Sequence, residues 1–235
     1  MPLPNDTRLF SRLGRTLECA VVLAVVFAPL VYRSTIYAIW LWRHPELAAG
    51  AAVFSEDALL ELVRSEVLTI LAVVWFLWMC GWTRADARLR VSLAGTFMGV
   101  GLALAANFVS EAPLAAWQWA LPESYAAAAS VLPRQAGLSA PVILASSAVN
   151  GFFEELFLCG YLIGPVAAFR QRAVWAGVSM LLRLSYHTYQ GPAGLLGILL
   201  LGGLWTLYFL LKRRLWPVIV AHICLDIAGL WALAS

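Results

Sequence analysis

Seven apolar runs, each about the length of a bilayer crossing, dominate the 235-residue sequence: residues 17 to 42, 64 to 82, 91 to 109, 139 to 163, 173 to 190, 192 to 211 and 215 to 234. A transmembrane helix needs ~20 mostly apolar residues. The sequence therefore predicts an all-α, polytopic integral membrane bundle of about seven transmembrane helices, or eight helices counting a short interfacial or re-entrant one. Composition agrees: 62% of residues are hydrophobic and 12% charged, against roughly 25% charged in a soluble domain. An ordinary water-soluble domain, a disordered chain and a disulfide-rich secreted scaffold are all excluded.

Basic residues set the expected orientation. Arg8, Arg12 and Arg15 precede the first run, Arg84, Arg88 and Arg90 separate the second and third, Arg170 and Arg172 follow the fourth, and Lys212, Arg213 and Arg214 separate the last two. These are eleven of the sixteen Lys and Arg, all on alternate connections. The N-terminus is thus expected in the cytoplasm and the C-terminus on the far side. No basic run suggests a nucleic-acid surface. The stretch from Leu17 to Trp42, with small residues following at Leu47 to Ala52, is longer than the apolar core of a signal peptide, so an uncleaved anchor is expected. The far-side segment from Ser110 to Gly137, with Trp117, Trp119 and Tyr125, reads as an interfacial loop or short surface helix. Gly95 and Gly99 form a GxxxG pattern that allows close helix packing. Two parts of one structural unit are expected: residues 1–137 with three spans and the far-side loop, and residues 138–235 with four spans.

A charge at membrane depth costs about 2.5–3.5 kcal/mol on insertion scales and is a functional-site hypothesis by default. Three sets stand out: Glu154-Glu155 inside the fourth run, Arg183 with His187 in the fifth, and His222 with Asp226 in the seventh. Arg183 and His187 are four apart, as are His222 and Asp226, so each pair shares a helix face. Adjacent Glu154 and Glu155 point about 100° apart, so one can face a cavity while the other reaches a neighbouring helix. Together these groups can satisfy one another around a wet pocket. His44, in a Trp-Arg-His-Pro connection, reads as an ordinary loop residue. Cys19, Cys80, Cys159 and Cys224 are widely spaced without a CxxC pair and read as small buried hydrophobes.

Such a set permits several chemistries. A carboxylate in an apolar pocket suits a general base that takes a proton from water, and a His beside an Asp stabilises an oxyanion with its tautomer fixed. Hydrolysis of a peptide bond by activated water is one reading, with Glu154 as base. Glu plus two His is also a zinc set, although no HExxH is present. Cys159 with a His and Arg183 offers a thiolate route to proteolysis or transpeptidation. A non-enzymatic immunity factor, scaffold or proton-coupled transporter uses the same residues as a staple or relay.

At these three sets, over residues of about 140 to 230, the sequence resembles the CPBP family, the CAAX prenyl proteases and bacteriocin-processing or abortive-infection-like membrane proteins. Members carry Glu-Glu-x-x-x-Arg, then a His after an apolar or aromatic segment, then His-x-x-x-Asn. The matching residues are Glu154-Glu155, His187, and His222 followed by Asp226. The resemblance implies an intramembrane glutamic-type endopeptidase without a cofactor, acting on a membrane-associated peptide or protein in the lipid bilayer, in a bacterial plasma membrane. By similarity Glu154 is the water-activating base, Glu155 supports it, His187 positions the water, and His222 with Asp226 forms the oxyanion-stabilising pair. Two positions depart from the pattern. Cys159 stands where the motif has Arg, and Arg183 is expected to supply that cation from the next helix. Asp226 stands where the motif has Asn; an ionised Asp cannot donate to an oxyanion, so its expected role is to hold His222.

Overall fold

The computed structural model describes residues 14–44, 53–129, 134, 135 and 137–234. The apolar runs form α1 (Arg15–Arg43), α2 (Glu56–Met79), α3 (Leu93–Ala120), α4 (Pro122–Ala129), α5 (Ala140–Glu155), α6 (Phe169–Tyr186), α7 (Gly191–Lys212) and α8 (Leu215–Ala234). The sole strand pairing among the described residues is a two-residue parallel contact between β1 (Val53–Phe54) and β2 (Arg134–Gln135), which joins the approaches to α2 and α5. Arg8, Arg12, the small residues after Glu46, and residues 130–133 and 136 of the expected far-side loop lie outside the described residues.

Among the described residues, six helical segments are long and apolar enough to cross a membrane. The fifth expected run, residues 173 to 190, is α6 followed by a 3-10 turn (Thr188–Gln190), and α6 does not join the six because it carries Arg170, Arg172 and Arg183 within 18 residues. Two boundaries differ from expectation. The second helix starts at Glu56 rather than residue 64, because the Ser55 side chain accepts the Ala58 N–H and Glu56 and Asp57 occupy the first turn, where negative charge complements the helix dipole. The third runs on through Pro113 to Ala120, so most of the expected far-side loop is helix, and Leu121 leads directly into α4.

The four cysteines are free thiols. His44 caps the C-terminal end of α1, its ring 5.5 Å from that of Trp40.

Three of the basic connections meet at one end of the bundle. Arg88 Nε donates to the Gly164 carbonyl at 3.3 Å, Arg213 donates to the carbonyls of Ile163 and Gly164, and the Leu215 N–H reaches the Arg88 carbonyl at 3.3 Å. Thus α6 leaves this end and α7 returns to it. The early helices pack on the late ones: α3 lies against α7 and α8, α2 against α5, and α1 against α6. Ser34 on α1 bonds the Thr188 hydroxyl at 2.8 Å and accepts the Tyr189 N–H at 3.1 Å, holding the turn that follows α6.

Gly95 and Gly99 make the α3–α8 approach possible. A Cβ on Gly99 would sit 2.5 Å from the Val220 Cβ and 2.7 Å from the Pro217 carbonyl oxygen, whereas one on Gly101 meets nothing within 4 Å. Gly99→Leu is accordingly expected to lower stability by about 1–3 kcal/mol through overpacking, with Gly101→Leu close to neutral. Thermal unfolding of the purified protein in detergent checks the contrast.

Candidate active site

The acidic pair sits at the C-terminal end of α5, where the helix passes into a π-helical turn, Leu156–Tyr161, whose six residues are all buried. A π turn carries an extra residue per turn, and such turns cluster at functional sites. Glu154 is ten residues before Gly164, over an α-helical end, the π turn and a short turn, and so lies on the order of 10 Å or more in from the basic end, well inside a hydrocarbon layer about 30 Å thick.

Arg183, on α6, reaches between the two carboxylates. Its Nη1 donates to Glu154 Oε2 at 3.3 Å and its Nη2 to Glu155 Oε1 at 2.6 Å, and all three side chains are at most 5% exposed. One guanidinium therefore serves two buried acids, the forked geometry for which Arg is suited and Lys is not. Room for it comes from α7: a Cβ on Gly202 would lie 2.5 Å from the Arg183 Cδ, and the Trp205 ring centroid lies 5.6 Å from the Arg183 Cζ.

The two glutamates then differ. Glu155 Oε1 also accepts from His222 Nδ1 at 2.8 Å, so Glu155 binds α6 and α8 to α5. Glu154 receives both of its bonds on Oε2, from Arg183 and from the Tyr186 hydroxyl. Its Oε1 remains an open acceptor among the described residues. His187 is the residue just past the end of α6, and its Nδ1 lies 2.8 Å from the Arg183 carbonyl oxygen. A carbonyl can only accept, so Nδ1 carries the proton and Nε2 presents a lone pair. His187 is within electrostatic reach of Glu154.

Opposite, the ring of Trp205 stacks on His222 at 4.8 Å between centroids. His222 Nε2 lies 3.5 Å from Asp226 Oδ1, too long for a strong hydrogen bond, and Asp226 Oδ2 accepts from Asn150 Nδ2 at 3.0 Å.

The structure thus brings Glu154, Glu155, Arg183, His187, His222 and Asp226 into one cluster. Cys159 lies in the π turn, fully buried, in electrostatic contact with Glu155 and Arg183. Four neighbours carry no role in the sequence-based expectation: Tyr186 and Asn150, which lie within the polar sets, and Trp205 and Glu66, which do not. Tyr186 and Asn150 had a signal, since Tyr186 follows Arg183 by three and Asn150 precedes Glu154 by four, which puts them on the helix faces that carry those charges although their bonds go to Glu154 and Asp226 on other helices. Trp205 had none in a chain with eleven tryptophans. Glu66 is 3% exposed and interacts electrostatically with Glu154, Asp226 and His222. The late expected start of the second run put it near a helix end, where a charge is unremarkable.

Glu154, Glu155 and His222 offer ligand atoms within 4.8 Å of one another, a possible metal seat by spacing. The Arg183 guanidinium already touches both carboxylates, so a divalent ion there would have to displace a cation from its two partners.

Residues 136–228 match the family described as type II CAAX prenyl endopeptidase Rce1-like, which supports membership of the CPBP family. No curated protein and no solved structure matches the chain significantly. The matched segment contains every residue of the cluster except Glu66.

Removing the guanidinium leaves two buried carboxylates without a cation. Arg183→Ala is expected to destabilise by about 3–5 kcal/mol, the range for breaking a buried ion pair. Arg183→Lys should fall between it and wild type, because one ammonium cannot fork between two acids. Equilibrium unfolding in detergent measures both.

Proposed function

We propose that this CPBP-family chain is an intramembrane endopeptidase that hydrolyses a peptide bond of a membrane-associated protein or peptide with water activated by Glu154. The observation that carries the reading is the open Oε1 of Glu154: a carboxylate fixed through one oxygen by Arg183 and Tyr186 keeps the other free for water. His187, with its Nδ1 proton committed to the Arg183 carbonyl, offers Nε2 as a second acceptor for the same water.

In the reaction, Glu154 Oε1 takes a proton from the water as its oxygen bonds to the scissile carbonyl carbon. The oxyanion that forms requires N–H donors. His222, as an imidazolium, is one: Glu155 holds its Nδ1–H, and its Nε2–H, beside Asp226 at 3.5 Å, is left for the substrate. Asn150 is the other: one amide hydrogen is held by Asp226, and the second is available. Asp226 is then an acceptor that aims two donors, and the amide that the family motif carries four residues after its His is provided from α5. Collapse of the intermediate returns the proton from Glu154 to the leaving amine as the C–N bond breaks.

The cation replacing the motif's Arg is Arg183, and Cys159 has no chemical step. No metal or cofactor is required. The end at which Arg88, Arg172 and Arg213 gather faces the cytoplasm, in keeping with a protein of the bacterial plasma membrane.

Comparative membrane proteomics supplies the test. Glu154→Gln and His187→Ala should each abolish the processed form of a membrane protein while leaving expression and thermal stability intact. Processing should survive Cys159→Ser and chelator. Stability loss without any processing in wild type would favour a structural staple, and chelator sensitivity a zinc enzyme. In the same assay Asp226→Asn should lower cleavage, since it turns one of the two accepting oxygens into a donor and leaves a single acceptor for His222 and Asn150; a rise would contradict the assignment of Asp226.

A further inference from the structure

Glu66 on α2 belongs to no part of the mechanism above, yet it is buried in the bundle at membrane depth. The inward stripe of α2 consists of Leu59, Glu66, Val73 and Leu77, while Leu68, Leu71 and Trp75 face outward. Spacings of seven, seven and four put these residues on one face. A carboxylate among three aliphatic residues on that face points into the protein.

Two contacts set its level. The Glu56 carboxylate accepts the Ser139 N–H, so α2 and α5 begin side by side. Leu59 packs with Val142 and Ile143 near the start of α5 and with Ile227 and Leu230 of α8. Because all helices rise at about 1.5 Å per residue, Glu66 lies level with the region of Asn150 on α5, and α8 presents Asp226 and His222 as it rises from Leu230. Glu66 interacts electrostatically with Asp226, His222 and Glu154, and its Oε2 is enclosed without a hydrogen-bond partner.

The cluster therefore contains four carboxylates, Glu66, Glu154, Glu155 and Asp226. Arg183 is the one permanent cation among the described residues there, and it is committed to Glu154 and Glu155. With His222 also protonated, acid groups still outnumber cations by two. Ionising a buried carboxylate without a partner costs several kcal/mol, and a cationic guest would offset that cost. Asp226, with its side chain 26% exposed, is the open edge of this acidic wall and Glu66 the enclosed end.

We propose that Glu66 and Asp226 form a subsite for a cationic side chain, Lys or Arg, of the peptide substrate, held within a few residues of the scissile bond. The inference deepens the protease reading and rests on it for the word substrate. A Lys or Arg side chain suits an acidic site in an apolar bundle better than a free metal ion: its apolar stem would lie against aliphatic side chains while the charged end reached the acids, and no hydration shell would have to pass between helices.

Two measurements test it. In the first, the purified full-length protein in detergent is heated with n-hexylamine, with n-hexanol as the uncharged control and KCl as the inorganic cation. A ligand that binds only the folded state raises the melting temperature. Hexylamine should stabilise wild type and the exposed-site control Glu61→Gln beyond the hexanol effect, and this excess should vanish in Glu66→Gln. Glu66→Asp, which keeps the charge, should retain part of it and serves if Glu66→Gln does not fold. An excess that is absent in wild type, that persists in Glu66→Gln, or that KCl reproduces overturns the proposal.

In the second, protein termini in membranes of wild type, Glu154→Gln and Glu66→Gln are compared. Termini lost in Glu154→Gln should come from sequences with Lys or Arg at a constant offset from the cut, and Glu66→Gln should reduce their formation on the order of tenfold or more. Absence of a basic residue at any constant offset overturns the proposal. Should Glu154→Gln remove no termini, the protease reading fails, and the hexylamine titration still decides whether the cation subsite exists.

Discussion

Everything in this site depends on one guanidinium held between two buried carboxylates. Glu154 and Glu155 sit well inside the membrane, where each ionised group alone would cost several kcal/mol. Arg183 meets both at 3.3 and 2.6 Å. The surrounding fold makes that contact possible. Gly202 clears α7 from the side chain, Trp205 covers both Arg183 and His222, and Phe27 of α1 stacks on Tyr186 at 5.9 Å, backing the α6 face that presents the cation. The acids in turn bind the helices together. Glu155 is a tie between α5, α6 and α8 in a setting where lipid removes the usual hydrophobic drive for helix association.

That same contact separates two chemically identical side chains into two roles. Glu155 has Oε1 shared by Arg183 and His222 and Oε2 enclosed, which leaves it the orienting part in the proposed reaction. Glu154 has one oxygen saturated and one open. The division follows from their divergence around the helix, which turns Glu155 toward α8 and Glu154 toward the end of α6. The π turn that follows is the local irregularity through which Tyr161 reaches Glu18 on α1 at 3.0 Å. Backbone irregularity in a membrane is tolerated where protein encloses it, and this turn is wholly buried.

Much of this was legible from residue spacing because membrane helices are regular and their charges are few. The four-residue intervals from Arg183 to His187 and from His222 to Asp226 became contacts, the first through the Arg183 carbonyl and the second at 3.5 Å. Replacement of the motif's Arg at Cys159 pointed to Arg183, which lies against both acids. Partners supplied by other helices were illegible. Asn150 reaches Asp226 across 76 positions, and nothing in one helix's periodicity announces that pairing. Trp205 is one apolar residue among many. Glu66 was hidden by a helix boundary placed eight residues late, because polar residues of a first turn look like loop when apolarity alone marks the span. The count of crossings suffered from the reverse effect: α6 behaves as a member of the bundle while carrying three arginines.

The central claim is that Arg183 and Glu155 act as one neutralised unit rather than as two independent polar residues. A double-mutant cycle of unfolding free energies on wild type, Arg183→Met, Glu155→Leu and the double variant tests it most directly. Arg183→Met strands both carboxylates and Glu155→Leu leaves the guanidinium with Glu154 alone, whereas in the double variant the pair is gone and only Glu154 has lost its cation. The account predicts that the double variant is destabilised by well under the sum of the singles, with a coupling of about 2 kcal/mol or more. Additive effects within about 0.5 kcal/mol would contradict it.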